Sequence, residues 1–216
     1  DVATGPATVP LLLAGRVAHV TGVDFAEAMV RIARATTAHL DHVRIQQGDG
    51  QDLPFEAAFD AAFSLFGLMF FPDRAAGLAS LHRALVPGGV AVISCWPPAD
   101  RSTAMTHAIA ALGAAFPDAP EPDAPSFALD SAEALHAELQ AAGFVDTQVV
   151  EHTHTFTATP DEVWTGIAEG FAPIALARQS IPAEVWDAAE ARGLAWLRDN
   201  HPADEPLHYV GLIARG

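Results

Sequence analysis

The chain has 216 residues, half of them hydrophobic and 18% charged, which is ample material for a core and excludes a disordered chain. Acidic residues outnumber basic ones 27 to 11, no lysine is present, and a net charge of −16 sets nucleic acid and anionic membrane surfaces aside as partners. The single cysteine, Cys95, excludes an intramolecular disulfide and a cysteine-based zinc site. No apolar run approaches the roughly 18 residues of a membrane-spanning helix. No basic-then-apolar leader is visible either, so the cytoplasm is the expected compartment.

In chain order, Asp1–Thr8 reads as the end of a strand followed by a small-residue turn. With no β-branched run before it and no initiator Met, the chain is expected to be clipped at its N-terminus, within that first strand. Ala7–Ala14 reads as helical despite Pro10. His19–Asp24 is a second strand, and Ala26–Ala38 a helix with Ala28, Met29, Ile32 and Ala33 on one face. Val43–Gly48 is a third strand and Phe59–Phe66 a fourth, apolar throughout as a strand covered on both faces should be. Asp73–Leu85 carries Leu78, Leu81 and Leu85 at helical spacing, Pro87-Gly88-Gly89 is expected to end that helix, and Gly89–Trp96 is a fifth strand. Strands alternating with helices at this spacing predict right-handed βαβ units and a mostly parallel, doubly wound α/β sheet.

Beyond Pro97-Pro98 the pattern changes. Ser102–Phe116 and Ser131–Ala142 read as helices separated by a Pro/Asp-rich loop, 117–125, and Val145–Thr157 alternates like a strand. Thr159-Pro160-Asp161-Glu162 has the form of a helix start, with a Thr cap, Pro at the first position and Glu reaching back. Helical material then runs to Asn200, and Leu207–Ala214 is a last strand. Residues 1–216 are therefore expected to be one domain, with residues 158–205 a helical cap inserted between the last two strands.

Three pieces in this order can carry chemistry. The Asp1–Thr8 turn places backbone N–H groups at a helix N-terminus, with Gly5 flanked by Ala3 and Ala7. About 20 residues on, Asp24 ends the next strand, where a carboxylate can accept both hydroxyls of a ribose; its bland alternative is a cap on the following helix. Gly48-Asp49-Gly50-Gln51-Asp52-Leu53-Pro54-Phe55 follows the third strand, and an acidic loop there can accept from an adenine amino group. A nicotinamide site has no need of that loop.

The ordered set D-V-A-T-G-P, G-V-D, G-D-G-Q-D-L-P-F, F-G-L-M-F-F-P-D and L-V-P-G-G, spanning Asp1 to about Trp96, resembles class I S-adenosylmethionine (SAM)-dependent methyltransferases. The likeness is greatest to the small-molecule group that includes ubiquinone/menaquinone-type C-methyltransferases. The resemblance implies a Rossmann-like sheet of seven strands whose last strand is antiparallel. It also implies SAM as cofactor and a small, partly apolar acceptor. By position, Asp1, Ala3 and Gly5 would flank the methionine part of SAM, and Asp24 would hold the ribose, with Phe25 and Met29 near the adenine or ribose. Asp49 and Gly50 would meet the adenine, with Gln51 close by, and Phe66 would border the methionine moiety.

Phe70 and Phe71 are further candidates for the sulfonium's surroundings, with core packing the commoner fate of such residues. Trp96 is a candidate pocket wall, and Cys95 and Tyr209 read as structural. No general base is singled out: His107, His152 and His154 are the candidates, while His39 and His42 read as solvated. His152 and His154 share a strand face, but without a third ligand no metal site is expected. On this reading Asp24→Ala should weaken SAM binding at least tenfold and leave the apo melting curve nearly intact. A catalytically inactive SAM-binding or scaffold protein, and less favourably an NAD-dependent oxidoreductase, are the alternative readings; a homodimer is left open.

Overall fold

The computed structural model describes residues 1–119, 131–202 and 205–216, with residues 172, 173 and 176 described for their backbone alone. Most of the loop expected at 117–125 lies outside the described residues. The chain gathers into two compact units, one of Asp1–Pro97, Ser126–His152 and Gly211–Gly216, the other of Pro98–Pro125 and Thr153–Val210.

The first unit alternates strand and helix as the periodicity requires. After α1 (Thr8–Leu13) come β1 (Val20–Asp24), α2 (Glu27–Thr37), β2 (Val43–Gln47) and β3 (Phe59–Leu65), then a 3-10 turn (Leu68–Phe70), α3 (Arg74–Ala84) and β4 (Leu85–Cys95). On α2, Val30, Ala33 and Thr37 recur at i, i+3 and i+7 and are buried. Asp73 starts α3 by accepting from the Ala76 N–H at 2.9 Å.

Strand β4 begins at Leu85, not at Gly89, and takes in Pro87-Gly88-Gly89. The helix therefore stops at Ala84, before the proline, and the Pro-Gly-Gly segment is absorbed as an irregularity. Phe59 pairs with Leu85 and the next pair, Ala61 with Val90, skips four residues of β4. Gly88 at φ +81° permits that excursion.

Strands β1 and β2 pair in parallel, as do β3 and β4. The last strand, β6 (Leu207–Arg215), runs antiparallel to β4, as expected. The hydrogen-bonded sheets are β1-β2 and β3-β4-β6-β5, with β5 at Gln148–Phe156, so six strands form where seven were expected. The difference lies in Asp1–Val2, which is too short to count as a strand. Val2 forms a parallel bridge to Val23 and donates to the Phe63 carbonyl at 2.8 Å, while the Val23 N–H donates to the Asp1 carbonyl at 2.9 Å. Those two residues lie between β1 and β3 and join the sheets.

The core of this unit is Val2, Val23, Leu53, Leu68, Leu78, Leu81, Ile93, Cys95 and Leu212, closed by Leu135, Leu139 and Phe144 around α5 (Ala132–Ala141). Arg74 and Glu138 tie α3 to α5 through two hydrogen bonds of 2.7 and 3.1 Å, the forked geometry that makes such a pair directional.

The second unit is mainly helical: α4 (Thr103–Ala115), α6 (Pro160–Thr165) running into a π-helical turn (Gly166–Gly170), α7 (Ala172–Arg178) and α8 (Ala183–Asn200). The helix start at Thr159 forms as expected. Its hydroxyl accepts from the Glu162 N–H at 3.3 Å and the Glu162 carboxylate accepts from the Thr159 N–H at 2.7 Å. The unit has its own core of Ala111, Trp164, Ile167, Trp186, Ala189 and Leu197. Gly193 is what lets α6 approach α8, because a Cβ there would run into the Trp164 ring. No helix among the described residues is long and apolar enough to cross a membrane.

Candidate active site

In a parallel sheet the loops at the carboxyl ends of the strands share one edge, and the three pieces found in the sequence meet there. Asp24 ends β1 in register with Gln47, the last residue of β2. The Gly48–Asp52 loop therefore emerges beside Asp24, and the Gly48 N–H donates to the Asp24 carbonyl at 3.0 Å. On the other side of β1 lies the first turn, and beyond it β3 ends at Leu65 with Phe66 and Gly67 following. All of these residues belong to the first unit.

The turn is built from left-handed backbone. Ala3, Gly5 and Ala7 have φ of 56°, 53° and 74°, of which only the glycine takes such a value without strain. Asp24 holds this shape. One carboxylate oxygen accepts from the Gly5 N–H at 2.8 Å and the other from the Ala26 N–H at 2.9 Å, in a side chain only 9% exposed. The two readings of Asp24 are thus not exclusive. The carboxylate fixes the entry to α2 and the turn, and each oxygen retains a second acceptor site. The expectation that Asp24→Ala leaves the apo protein's stability nearly intact is corrected by this geometry, since the substitution would strand two N–H donors.

The other residues singled out divide into two groups. Phe25, beside Asp24, is 77% exposed and presents a bare ring at the edge, while Met29 on α2 is half-buried. Asp49 is exposed and accepts from the Gln51 N–H and side-chain amide at 2.8 and 3.1 Å. Gln51 in turn accepts from the Asp73 N–H at 2.8 Å, which clasps the loop to the start of α3. Gly50 is buried beneath Phe71: a Cβ there would strike the Phe71 ring and Val2, so packing alone already requires glycine. Phe71 also covers Gly77, so it belongs to the core, whereas Phe70 is 39% exposed. Asp1 accepts from the Thr4 hydroxyl at 2.6 Å. His42 is not simply solvated: its Nε2 donates to the Ala14 carbonyl at 2.7 Å.

Phe66 sits at φ +55°, an uncommon conformation for a bulky aromatic, and its ring stacks on Trp96 at 3.9 Å between centroids with planes 17° apart. Its N–H donates to Ser94. These two rings make an apolar wall at the tips of β3 and β4.

Sequence reading missed Ser64. Its hydroxyl is fully buried with no partner among the described residues, close to Gly67, where an added Cβ would meet Ser64 Oγ, the Val2 carbonyl and, most closely, the Ala3 methyl. The available signal was a polar residue two positions from Ala62, in line with it on the buried face of β3.

The edge fits a nucleoside-bearing sulfonium: a carboxylate with free acceptor sites, an exposed aromatic face beside it, an acidic loop on the neighbouring strand, and an apolar aromatic wall on the far side. Residues 1–93 match the family model described as a methyltransferase domain. Over these residues, 93 of the 216, the chain is similar to methyltransferase domains.

The chain is 40% identical over 91 residues to the demethylmenaquinone methyltransferase of Staphylococcus aureus strain MRSA252, a match covering 41% of this chain and 38% of that protein. Its fold is similar to that of the YcgJ protein from Bacillus subtilis (TM-score 0.63, 18% identity, 100% of this chain and 89% of the other). It is similar also to Haemonchus contortus phosphoethanolamine N-methyltransferase 2, solved in complex with S-adenosyl-L-methionine (TM-score 0.57, 18% identity, 100% and 47%). The structural likenesses show a Rossmann-like α/β fold; the match to the curated relative spans under two fifths of its length.

Proposed function

We propose that the chain transfers a methyl group from SAM to a small, partly apolar acceptor molecule. The observation that carries the reading is the Asp24 carboxylate, fixed by two backbone N–H groups at the tip of β1 and flanked by the Asp49 loop and the first turn. In this proposal Asp24 accepts from the ribose hydroxyls and Phe25 and Met29 pack beside the adenine or ribose. Asp49 accepts from the adenine amino group, with Gly50 and Gln51 shaping that loop. Asp1, Ala3 and Gly5 flank the methionine end and Phe66 borders it.

SAM, when bound, supplies an already activated methyl group on a positively charged sulfur. The protein's share is accordingly to hold, orient and exclude water. The stacked Phe66 and Trp96 rings keep water from one side of the edge, and an aromatic face favours a nearby cation by roughly 0.5–2 kcal/mol. We further propose the seven-stranded form of the sheet, with Val2 standing as its central first strand, residues 158–205 serving to select the acceptor within one methyltransferase domain, and a cytoplasmic location.

The test is direct. The purified chain should bind S-adenosylhomocysteine in calorimetry and NADH not at all, and should release methyl product from labelled SAM with at least one member of a panel of phenols, quinols and amines. Cofactor binding without turnover on any acceptor would support the scaffold reading; no binding would refute both.

A further inference from the structure

Strand β5 closes one side of the four-stranded sheet, and its outer edge has no neighbouring strand among the described residues. It is long for an edge, nine residues, Gln-Val-Val-Glu-His-Thr-His-Thr-Phe, and almost wholly exposed. Proteins usually blunt such edges with proline, lysine or a bulge. Here Glu151 is the only charged residue of the strand, and Val150 is 56% exposed.

Alternation places Val150, His152, His154 and Phe156 on one face of β5. On that face the His154 ring stacks on Phe156, 5.7 Å between centroids and 16° between planes, and Phe156 stacks on Tyr209 of β6 at 5.4 Å and 15°. The His154 imidazole is thereby oriented. Both imidazoles are exposed, and neither makes a hydrogen bond among the described residues. Two imidazoles about 7 Å apart along a strand can reach a single cation at about 2.0–2.1 Å, but they fill only two of zinc's four positions. No set of three metal-ligating side chains exists among the described residues to complete it.

We propose that β5 is the seam of a metal-bridged homodimer, in which His152 and His154 of two copies together bind one divalent transition-metal ion of the zinc type. Two copies pairing antiparallel along β5 are related by a dyad normal to the sheet, which keeps the histidine face of each copy on the same side. Opposed residues must then be of like parity. Centring the register on Thr153 sets His152 against the partner's His154, Val150 against the partner's Phe156 and Glu151 against the partner's Thr155. No like charges then face each other. Directly opposed side chains lie about 5 Å apart, so the four imidazoles outline a patch of about 5 by 7 Å over which one cation can sit. Imidazole donors suit zinc, nickel and copper in preference to magnesium or calcium. Each copy carries a net charge of −16, so the pair repels without a cation, and a dication at the seam acts where the two chains meet. The inference does not rest on methyl transfer.

The experiment uses the full chain without an affinity tag, stripped with EDTA and titrated with zinc chloride, with magnesium chloride as control. Calorimetry should give one zinc per two chains, and sedimentation velocity should convert monomer to dimer over the same titration and back on adding EDTA. The double variant His152→Gln/His154→Gln should bind zinc at least tenfold more weakly and stay monomeric, with its circular dichroism unchanged; should that variant misfold, His154→Gln alone serves. One zinc per chain without dimerisation, a dimer that persists in EDTA or in the histidine variant, or no zinc binding would each overturn the proposal.

Discussion

Replacing Asp24 separates the two tasks assigned to its carboxylate. In Asp24→Ala the N–H groups of Gly5 and Ala26, held at 2.8 and 2.9 Å, lose a charged acceptor. A hydrogen bond to a charged group is worth about 1.5–3 kcal/mol, and the site stands at the edge of the sheet, so we take the low end for both and expect a loss of about 3 kcal/mol. In a chain of this size that lowers the melting temperature by about 6–12 °C. Asp24→Asn keeps one acceptor oxygen and should lose roughly half as much. Cofactor affinity responds on a separate scale: removing the ribose acceptor should weaken S-adenosylhomocysteine binding at least tenfold in both variants, about 1.4 kcal/mol or more. Scanning calorimetry of the apo proteins and titration at a temperature where both are folded give the two readouts. An Asp24→Ala melting temperature within about 2 °C of the parent would refute the claim that the carboxylate holds the turn. An unchanged affinity would refute the ribose assignment.

Three further outcomes follow from packing and burial. Gly67→Ala drives a methyl into that of Ala3 and should destabilise the first unit by about 1–3 kcal/mol, and adding Ala3→Gly should restore most of it; strict additivity in urea unfolding would sink this contact. Gly193→Ala forces the Trp164 ring out of place, so tryptophan fluorescence and the melting of the helical unit should both change, and a native spectrum with full stability would refute it. Burial pushes the Cys95 thiol up from 9.0 to about 12, with Arg74 opposing weakly and Glu138 adding to the shift. The unfolded thiol ionises near its ordinary value while the folded one keeps its proton, so stability is complete below pH 9 and declines between pH 9 and about 12, by up to about 1.4 kcal/mol per pH unit. Cys95→Ala should flatten that decline in urea titrations, and native Cys95 should resist thiol reagents at pH 8.

What the sequence revealed of this fold was whatever local chemistry decides. The capping box at Thr159 and the strand ending at Asp24 are each set by neighbours within a few positions and formed where expected. Strand β2 stops at Gln47, one residue short of Gly48, and α2 forms but buries Val30, Ala33 and Thr37 in place of the face of Ala28, Met29, Ile32 and Ala33, leaving Ile32 exposed. Features set by distant partners were not legible. Pro87-Gly88-Gly89 has the local form of a helix stop, yet β3 pairs with Leu85 on one side of that segment and with Val90 on the other, and the ladder outweighs the turn signal. The family resemblance places Gly50 against the adenine. The close approach is real, but the structure puts Phe71, 21 positions later, against it.

The alanines of the first turn show how the two kinds of information combine. A glycine-rich turn is the usual means of reaching φ near +60°, and Ala3 and Ala7 stand where glycine would take that value without strain. In the structure both alanines adopt that conformation at a cost of roughly 1–2 kcal/mol each. Their methyl groups are used: Ala7 is fully buried against Val30, Ala33 and Ile45, and Ala3 faces Gly67. Strained backbone persists only where its surroundings over-determine it. Asp24 supplies that determination by gripping Gly5, midway between the two alanines. The residue proposed to recognise the ribose is therefore also the one that keeps the strained turn in place, so strain relief and cofactor loss should appear together when it is removed.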